Sequence, residues 1–172
     1  MEKQKNEANY YAMQSQIDPH FLFNTLENIR MQVDMKSYEV VGDMLFALSR
    51  LMRYNISLRR ESTLLSELNH IRNYLFIYHN RQKSRIRFEI HLDDAFDDIA
   101  CPFCILQPIV ENSIRHGIQN ASDSIRIDIF LMRTDTGVAV IVRDTGAGMS
   151  PDCMKALNEA LANEKEIDQT NT

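Results

Sequence analysis

The sequence has no apolar run approaching the roughly 20 residues that cross a bilayer, and no signal-peptide pattern opens it. The expectation is a soluble protein, or the soluble part of something longer. Positive charge is not in excess either. With 19 Lys and Arg against 24 Asp and Glu the net charge is −5, which gives nucleic acid no electrostatic footing as a partner. Cysteine is scarce, at three residues. Cys101-Pro102-Phe103-Cys104 has the C-x-x-C spacing of redox motifs, but apolar residues crowd it and no thioredoxin-like strand pattern precedes it. A structural zinc site would need two further ligands at motif spacing, and the sequence offers none. Small buried residues are the better reading. Internal repeats and low-complexity tracts are also missing, and no glycine follows Gly148.

What is present is the composition of a globular chain with a core, 44% hydrophobic and 25% charged over 172 residues, enough for one domain or two small ones. Leu22, Leu26, Ile29 and Val33 recur at helical spacing and predict one apolar stripe on a helix ending near residue 33. Residues 1–15 read as its frayed polar lead-in. A turn over 34–37, with Ser37 as N-cap, leads to a second helix over 38–57. Val41, Leu45, Leu48 and Met52 form its stripe, widened by Met44 and Leu51. A hairpin of two such helices cannot bury both stripes, so a homodimeric four-helix bundle is expected. Leu64, Leu68, Ile71, Leu75 and Tyr78 predict a third helix over about 65–83.

The period then changes to two. Ile86, Phe88, Ile90 and Leu92 alternate with polar residues as a strand, and an acidic loop follows over 93–98. A helical region begins at Pro102 and is delayed or kinked by Pro108. Ile125, Ile127, Ile129 and Leu131 mark a second strand, joined through a turn at 134–137 to a third strand over 138–142. A last helix over 152–162 precedes a polar tail expected to be mobile. The fold class is α+β: helical to about residue 60, then a largely antiparallel sheet with helices.

Three stretches carry candidate chemistry. In Gln16-Ile17-Asp18-Pro19-His20-Phe21-Leu22-Phe23-Asn24, His20 lies opposite the apolar stripe. Asn24 is one turn on, with Gln16 and Glu27 nearby, and Pro19 should bend the helix. A lone surface histidine would be the ordinary reading; the clustered polar partners and the proline weaken it. In Gln107-Pro108-Ile109-Val110-Glu111-Asn112-Ser113-Ile114-Arg115-His116-Gly117, the residues Glu111, Asn112, Arg115 and His116 share a polar helix face. Oxygen donors beside cationic groups suit a metal–phosphate site, although the spacing alone favours a solvated face. In Asp144-Thr145-Gly146-Ala147-Gly148-Met149 a carboxylate at a strand end precedes two glycines that permit a close backbone approach.

The Pro-His-Phe-Leu-Phe-Asn run closely resembles the phosphoacceptor motif of LytS-type sensor histidine kinases. The other two stretches resemble the N box and the first glycine box of the Bergerat ATP-binding fold, shared by gyrase, heat-shock chaperones, histidine kinases and mismatch-repair ATPases. Together the resemblance covers roughly residues 10–160. It implies that His20 is phosphorylated; Asn24, one turn from it, is placed to orient a water for dephosphorylation of the partner aspartate. Asn112 would hold Mg²⁺, and Glu111 would lie beside the reacting phosphate. Arg115 and His116 would approach the phosphates, Asp144 would bind the adenine amine, and Gly146 and Gly148 would shape the pocket. The implied fold is a helical dimerisation domain over 1–60 and a partial α/β sandwich over 61–172, with ATP and Mg²⁺ as ligands. A homodimer and a response regulator are the implied partners, in the cytoplasmic part of a membrane-anchored sensor, with no membrane contact by these residues.

The sequence departs from that pattern in three places. Thr145 stands where Asn is common, a tolerable change. Phe21 follows the histidine where many histidine kinases have an acidic residue, so the general base is unassigned. A second, Gly-x-Gly-Leu-type glycine box is absent, which predicts C-terminal truncation, weak ATP binding and inefficient labelling of His20 by these 172 residues. Two further readings stay open: a nucleotide-dependent switch that never phosphorylates His20, and a helical dimerisation module with a degenerate nucleotide fold.

Overall fold

A computed structural model describes residues 19–57, 61–81, 85–92, 99–120, 124–135 and 137–170. The polar lead-in, Gln16 and the acidic loop over 93–98 lie outside the described residues, and Pro19 opens the first described helix. That helix, α1 (Pro19–Asp34), forms a hairpin with α2 (Tyr38–Ile56). Its end is closed by backbone bonds: Ser37 N donates to Gln32 O and Lys36 N to Val33 O, each at 2.9 Å, while Lys36 takes a φ of 59°. Ser37 stands at the N-cap of α2, as expected, but its side chain makes no capping bond.

The helical stripes are rotated from the sequence expectation. In α2 the buried residues are Met44, Ala47, Leu48 and Leu51, while Leu45 is 47% exposed. In α1 Thr25, Asn28 and Ile29 are buried, while Leu26 and Val33 stay 45% and 43% exposed. The face turned inward is the one that meets α3 (Leu64–Arg81), whose stripe of Leu64, Leu68, Ile71 and Leu75 is buried throughout. Thr63 caps α3, its Oγ1 accepting from Ser66 N at 3.2 Å. Phe21 stacks on Tyr74 and Tyr78 at 5.4 and 5.5 Å, and the Arg81 guanidinium lies over Phe21 and Tyr78. This aromatic group ties the start of α1 to α3.

Two short strands escape the sequence reading: β1 (Glu61–Thr63) pairs antiparallel with β3 (Ala100–Pro102). Pro102 therefore ends a strand, and the helix expected there starts late, as α4 (Gln107–Asn120). Pro108 falls in its first turn, where a missing N–H has no helical partner to lose.

The main sheet has the order β2-β4-β5, with β2 (Ile86–Leu92), β4 (Ile125–Thr134) and β5 (Gly137–Asp144). β4 and β5 form the expected antiparallel hairpin, but β2 runs parallel to β4, from Ile86↔Ile125 to Leu92↔Leu131. The sheet is mixed, which corrects the expectation of a largely antiparallel one. The chain returns from β2 to β4 through α4, and a helical crossover delivers a parallel strand. Alternation reports which face is buried and says nothing of strand direction. Ile86, Ile125, Ile127, Ile129 and Leu131 point into the core with Ile71, Leu75 and Ile77 from α3, Val110 and Ile114 from α4, and Leu106 just before α4. The other sheet face carries charge: Arg126 bridges Glu89 and Asp128, each at 2.9 Å.

The last helix, α5 (Pro151–Thr170), extends through most of the segment expected as a mobile tail. No described helix is long and apolar enough to cross a membrane. The architecture is a helical hairpin followed by a partial α/β sandwich with its helices on one face of a mixed sheet.

Candidate functional site

His20 is the second residue of α1 and is exposed. Asn24, one turn along, faces it with Nδ2 2.8 Å from His20 Nε2. In that orientation the amide donates, Nε2 accepts, and a neutral ring carries its proton on Nδ1. The adjoining residue, Phe21, belongs to the aromatic group on α3, so the histidine is presented from a helix start that is pinned by its neighbour.

Glu111, Asn112, Arg115 and His116 are all exposed on α4, while Val110 and Ile114 are buried on its opposite face. The helical spacing read from the sequence therefore does segregate the two sets. Arg115 Nη2 donates to Asn112 Oδ1 at 2.9 Å, and Gln107 Nε2 donates to Glu111 Oε1 at 2.7 Å.

Asp144 ends β5, and its Oδ1 accepts from Gly146 N at 2.9 Å, which curls the loop back on the carboxylate. Thr145 continues the ladder: its N donates to Arg126 O at 3.1 Å and its Oγ1 accepts from Arg126 N at 2.9 Å. The Thr hydroxyl thus anchors the loop to β4. A Cβ built on Gly146 would lie 2.9 Å from Asp144 Oδ1 and 3.1 Å from Gly117 Cα. The glycine loop therefore touches the α4 backbone beside His116, and only a residue without a side chain fits there unstrained. Gly148, at φ +70°, has open space around it and is needed for its dihedral. Two stretches far apart in sequence thus meet at Gly117 and Gly146, while Phe21, next to His20, packs on Tyr74 and Tyr78 of α3.

Other functional-type residues escaped the sequence reading. Glu67 on α3 is completely buried and accepts from Tyr54 Oη, from Cys104 N at 2.8 Å and from Leu106 N at 3.4 Å. His70, also buried, has Nε2 2.6 Å from Gln107 Oε1. Tyr54 stacks between His70 and Phe103, at 4.3 and 4.8 Å, and its pKa is raised by burial first and then by Glu67. A signal did exist in the sequence, a Glu and a His set among the apolar positions of α3, but exposure at the stripe edge would have produced the same pattern. Burial pushes the Cys104 thiol up to about 12, with Glu67 adding to it, and raises Cys101 as well. Neither favours the thiolate that redox chemistry needs, which agrees with the structural reading of the C-x-x-C spacing.

Comparison with known proteins adds identity to this geometry. The histidine kinase family matches residues 8–86, which contain His20 and reach the first residue of β2. Sensor protein LytS of Oceanobacillus iheyensis is 35% identical over 168 residues, covering 96% of this chain and 28% of that protein. The sensor histidine kinase/phosphatase LytS of Staphylococcus aureus is 34% identical over 156 residues, covering 89% of this chain and 26% of that protein. The chain therefore spans just over a quarter of the length of these relatives, and its α4 and β5-loop motifs fall inside the matched part of both. By family, the chain belongs with the LytS-type sensor histidine kinases.

Proposed function

We propose that this chain is the kinase core of a two-component sensor. ATP is its phosphoryl donor, His20 the first acceptor, and an aspartate on a response regulator the second. Residues 1–60 act as the dimerisation and phosphotransfer domain and 61–172 as the ATP-binding domain, within the cytoplasmic portion of a membrane-anchored protein. The observation that carries the reading is the close approach of Gly146 to Gly117, which sets the Asp144 carboxylate beside the polar end of α4.

The residues fit a metal–nucleotide pair. Asn112 offers a hard oxygen donor beside the Arg115 guanidinium, and the loop makes a glycine-only approach to the helix. Asn112 would hold Mg²⁺, which when bound supplies charge neutralisation at the phosphates. Arg115 and His116 meet the phosphate oxygens, Asp144 accepts from the adenine amine, and Glu111 lies beside the reacting phosphate. At His20 a ring nitrogen forms the N–P bond as the bond to ADP breaks. Asn24 holds the ring through Nε2 and, in the reverse function, orients a water toward the phosphorylated aspartate. The Staphylococcus aureus relative's name, kinase/phosphatase, supports giving Asn24 that second task. Phe23, Leu26, Leu45 and Phe46, exposed by 45–71%, support a homodimer through the hairpin.

The test uses the longest natural chain that carries these residues. With γ-labelled ATP, His20→Gln abolishes acid-labile label while His79→Gln and His91→Gln retain it; full labelling of the His20 variant overturns the reading. Asn24→Ala lowers phosphatase more than kinase activity, and the opposite ranking removes Asn24 from the assignment.

A further inference from the structure

The polar face of α4 is anchored one turn before Glu111. Gln107 donates from Nε2 to Glu111 Oε1 at 2.7 Å, and its own Oε1 lies 2.6 Å from His70 Nε2. His70 comes from α3, is only 3% exposed, and is stacked on Tyr54. The sense of this chain is fixed by donor chemistry. An ionised carboxylate only accepts, so the amide NH₂ must face Glu111 and the amide oxygen must face His70. His70 must then present an Nε2–H. The opposite amide orientation would set two oxygens against each other. Burial keeps the His70 pKa down, and its Nδ1 is buried with no hydrogen-bond partner among the described residues, as befits the lone-pair nitrogen of a neutral ring.

Behind His70 the scaffold is rigid. Tyr54 is held between two rings and bonded to Glu67, and Glu67 in turn holds the backbone of Cys104 and Leu106 just before α4. On its other side the Glu111 carboxylate is near enough to Tyr74 to help raise that hydroxyl's pKa, after burial and Tyr78. An exposed glutamate thus has one oxygen tied to a buried, polarised chain.

We propose that Gln107, oriented by His70, is a positioning residue that holds the Glu111 carboxylate in a single rotamer for phosphoryl transfer. This rests on the role given to Glu111 above. A purely structural Gln107 would tie α4 to α3 and leave the rate untouched once the chain is folded.

The experiment measures autophosphorylation rate against ATP concentration, together with side-chain amide NMR of Gln107, in the longest natural chain carrying these residues. Gln107→Leu lowers the maximal rate roughly 10–100-fold with little change in nucleotide KM, the range seen when a supporting hydrogen bond is removed from an active group. His70→Leu acts in the same direction, while His70→Gln, which keeps an N–H donor, restores most of the rate. The double variant Glu111→Gln/Gln107→Leu is no slower than Glu111→Gln alone, because Gln107 acts through Glu111. The Gln107 amide protons exchange slowly in the native chain and rapidly in His70→Leu. A native rate in folded Gln107→Leu, a loss confined to KM, or additive losses in the double variant would each overturn the proposal. If Glu111→Gln is slow and Gln107→Leu is native, the proposal alone fails. If Glu111→Gln keeps the native rate, the role of Glu111 fails and the proposal falls with it.

Discussion

The strand β4 and the helix α1 both carry a regular apolar stripe, yet the chain covers one and leaves the other half open. Ile125, Ile127, Ile129 and Leu131 are exposed by no more than 2%, whereas in α1 only Ile29 of the four expected positions is buried. The sheet finds its covering within the chain, in α3 and α4. The hairpin meets α3 along one edge and presents Phe23, Leu26 and Val33 outward. An apolar stripe in a sequence therefore promises a covered face, and the covering need not come from the same chain. On the reading above it comes from a second copy.

The largest expected effect tests that contrast directly. Ile127→Ala removes a fully buried side chain and should cost about 2–5 kcal/mol at any protein concentration, measured by urea unfolding. Leu26→Ala should cost less than about 1 kcal/mol in dilute chain, where its face is already in water, and more as concentration rises. Sedimentation should then show Leu26→Lys as a weaker dimer. Leu48, although it belongs to the expected stripe of α2, is a poor site for the same test because it is 7% exposed within one chain, so a lysine there would be buried regardless of assembly. Equal, concentration-independent losses at Ile127 and Leu26, with a monomer at micromolar concentration, would break the comparison.

The second contrast is between the exposed polar face of α4 and the buried polar joint behind it. Glu67 accepts from Tyr54 and from two backbone N–H groups without reaching solvent. Tyr54→Phe keeps the ring stack and removes one donor to a carboxylate, so it should cost about 1.5–3 kcal/mol in denaturant unfolding. The surface pair offers a reference. Breaking Arg115–Asn112, both exposed, by Arg115→Ala should change stability by less than about 0.5 kcal/mol. A Tyr54→Phe loss as small as the Arg115→Ala loss would show that the joint is not a distinct structural element.

How far the sequence reached follows from what each signal encodes. The stripe of α3 and the alternation of β4 were legible because burial on one face has a period that survives any partner. The direction of β2 was not legible, because parallel and antiparallel neighbours bury the same alternate residues. β1 and β3, three residues each, are too short to carry a period. The rotation of α1 is not legible, because Leu22, Leu26, Ile29 and Val33 share one helical face whichever body they meet, while Thr25 and Asn28 take the inner positions in the fold. At the site, the exposed residues of α4 and the Asp144 loop were readable as motifs. His70 and Gln107 were not, since their pairing depends on two helices meeting 37 positions apart.

Effects smaller than that of Tyr54→Phe are expected within the β5 loop, where two glycines are required for different reasons. A Cβ on Gly146 would crowd Asp144 Oδ1 and the backbone of Gly117, at 2.9 and 3.1 Å. The carboxylate can rotate away, at the loss of its bond to Gly146 N, but the α4 backbone cannot. Gly146→Ala should therefore cost about 1 kcal/mol by overpacking, and Gly146→Asn at least as much. A Cβ on Gly148 would meet nothing within 4 Å among the described residues, and the φ there is +70°, so its cost is one of dihedral alone. Gly148→Ala should also lose about 1 kcal/mol, but Gly148→Asn should recover most of it, because Asn tolerates the left-handed region. Thermal midpoints of the four variants separate the two causes. Rescue by Asn at Gly146 would mean that the close approach of the loop to α4, on which the nucleotide reading rests, is not what holds the loop in place, and its failure at Gly148 would mean that the dihedral is not what requires that glycine.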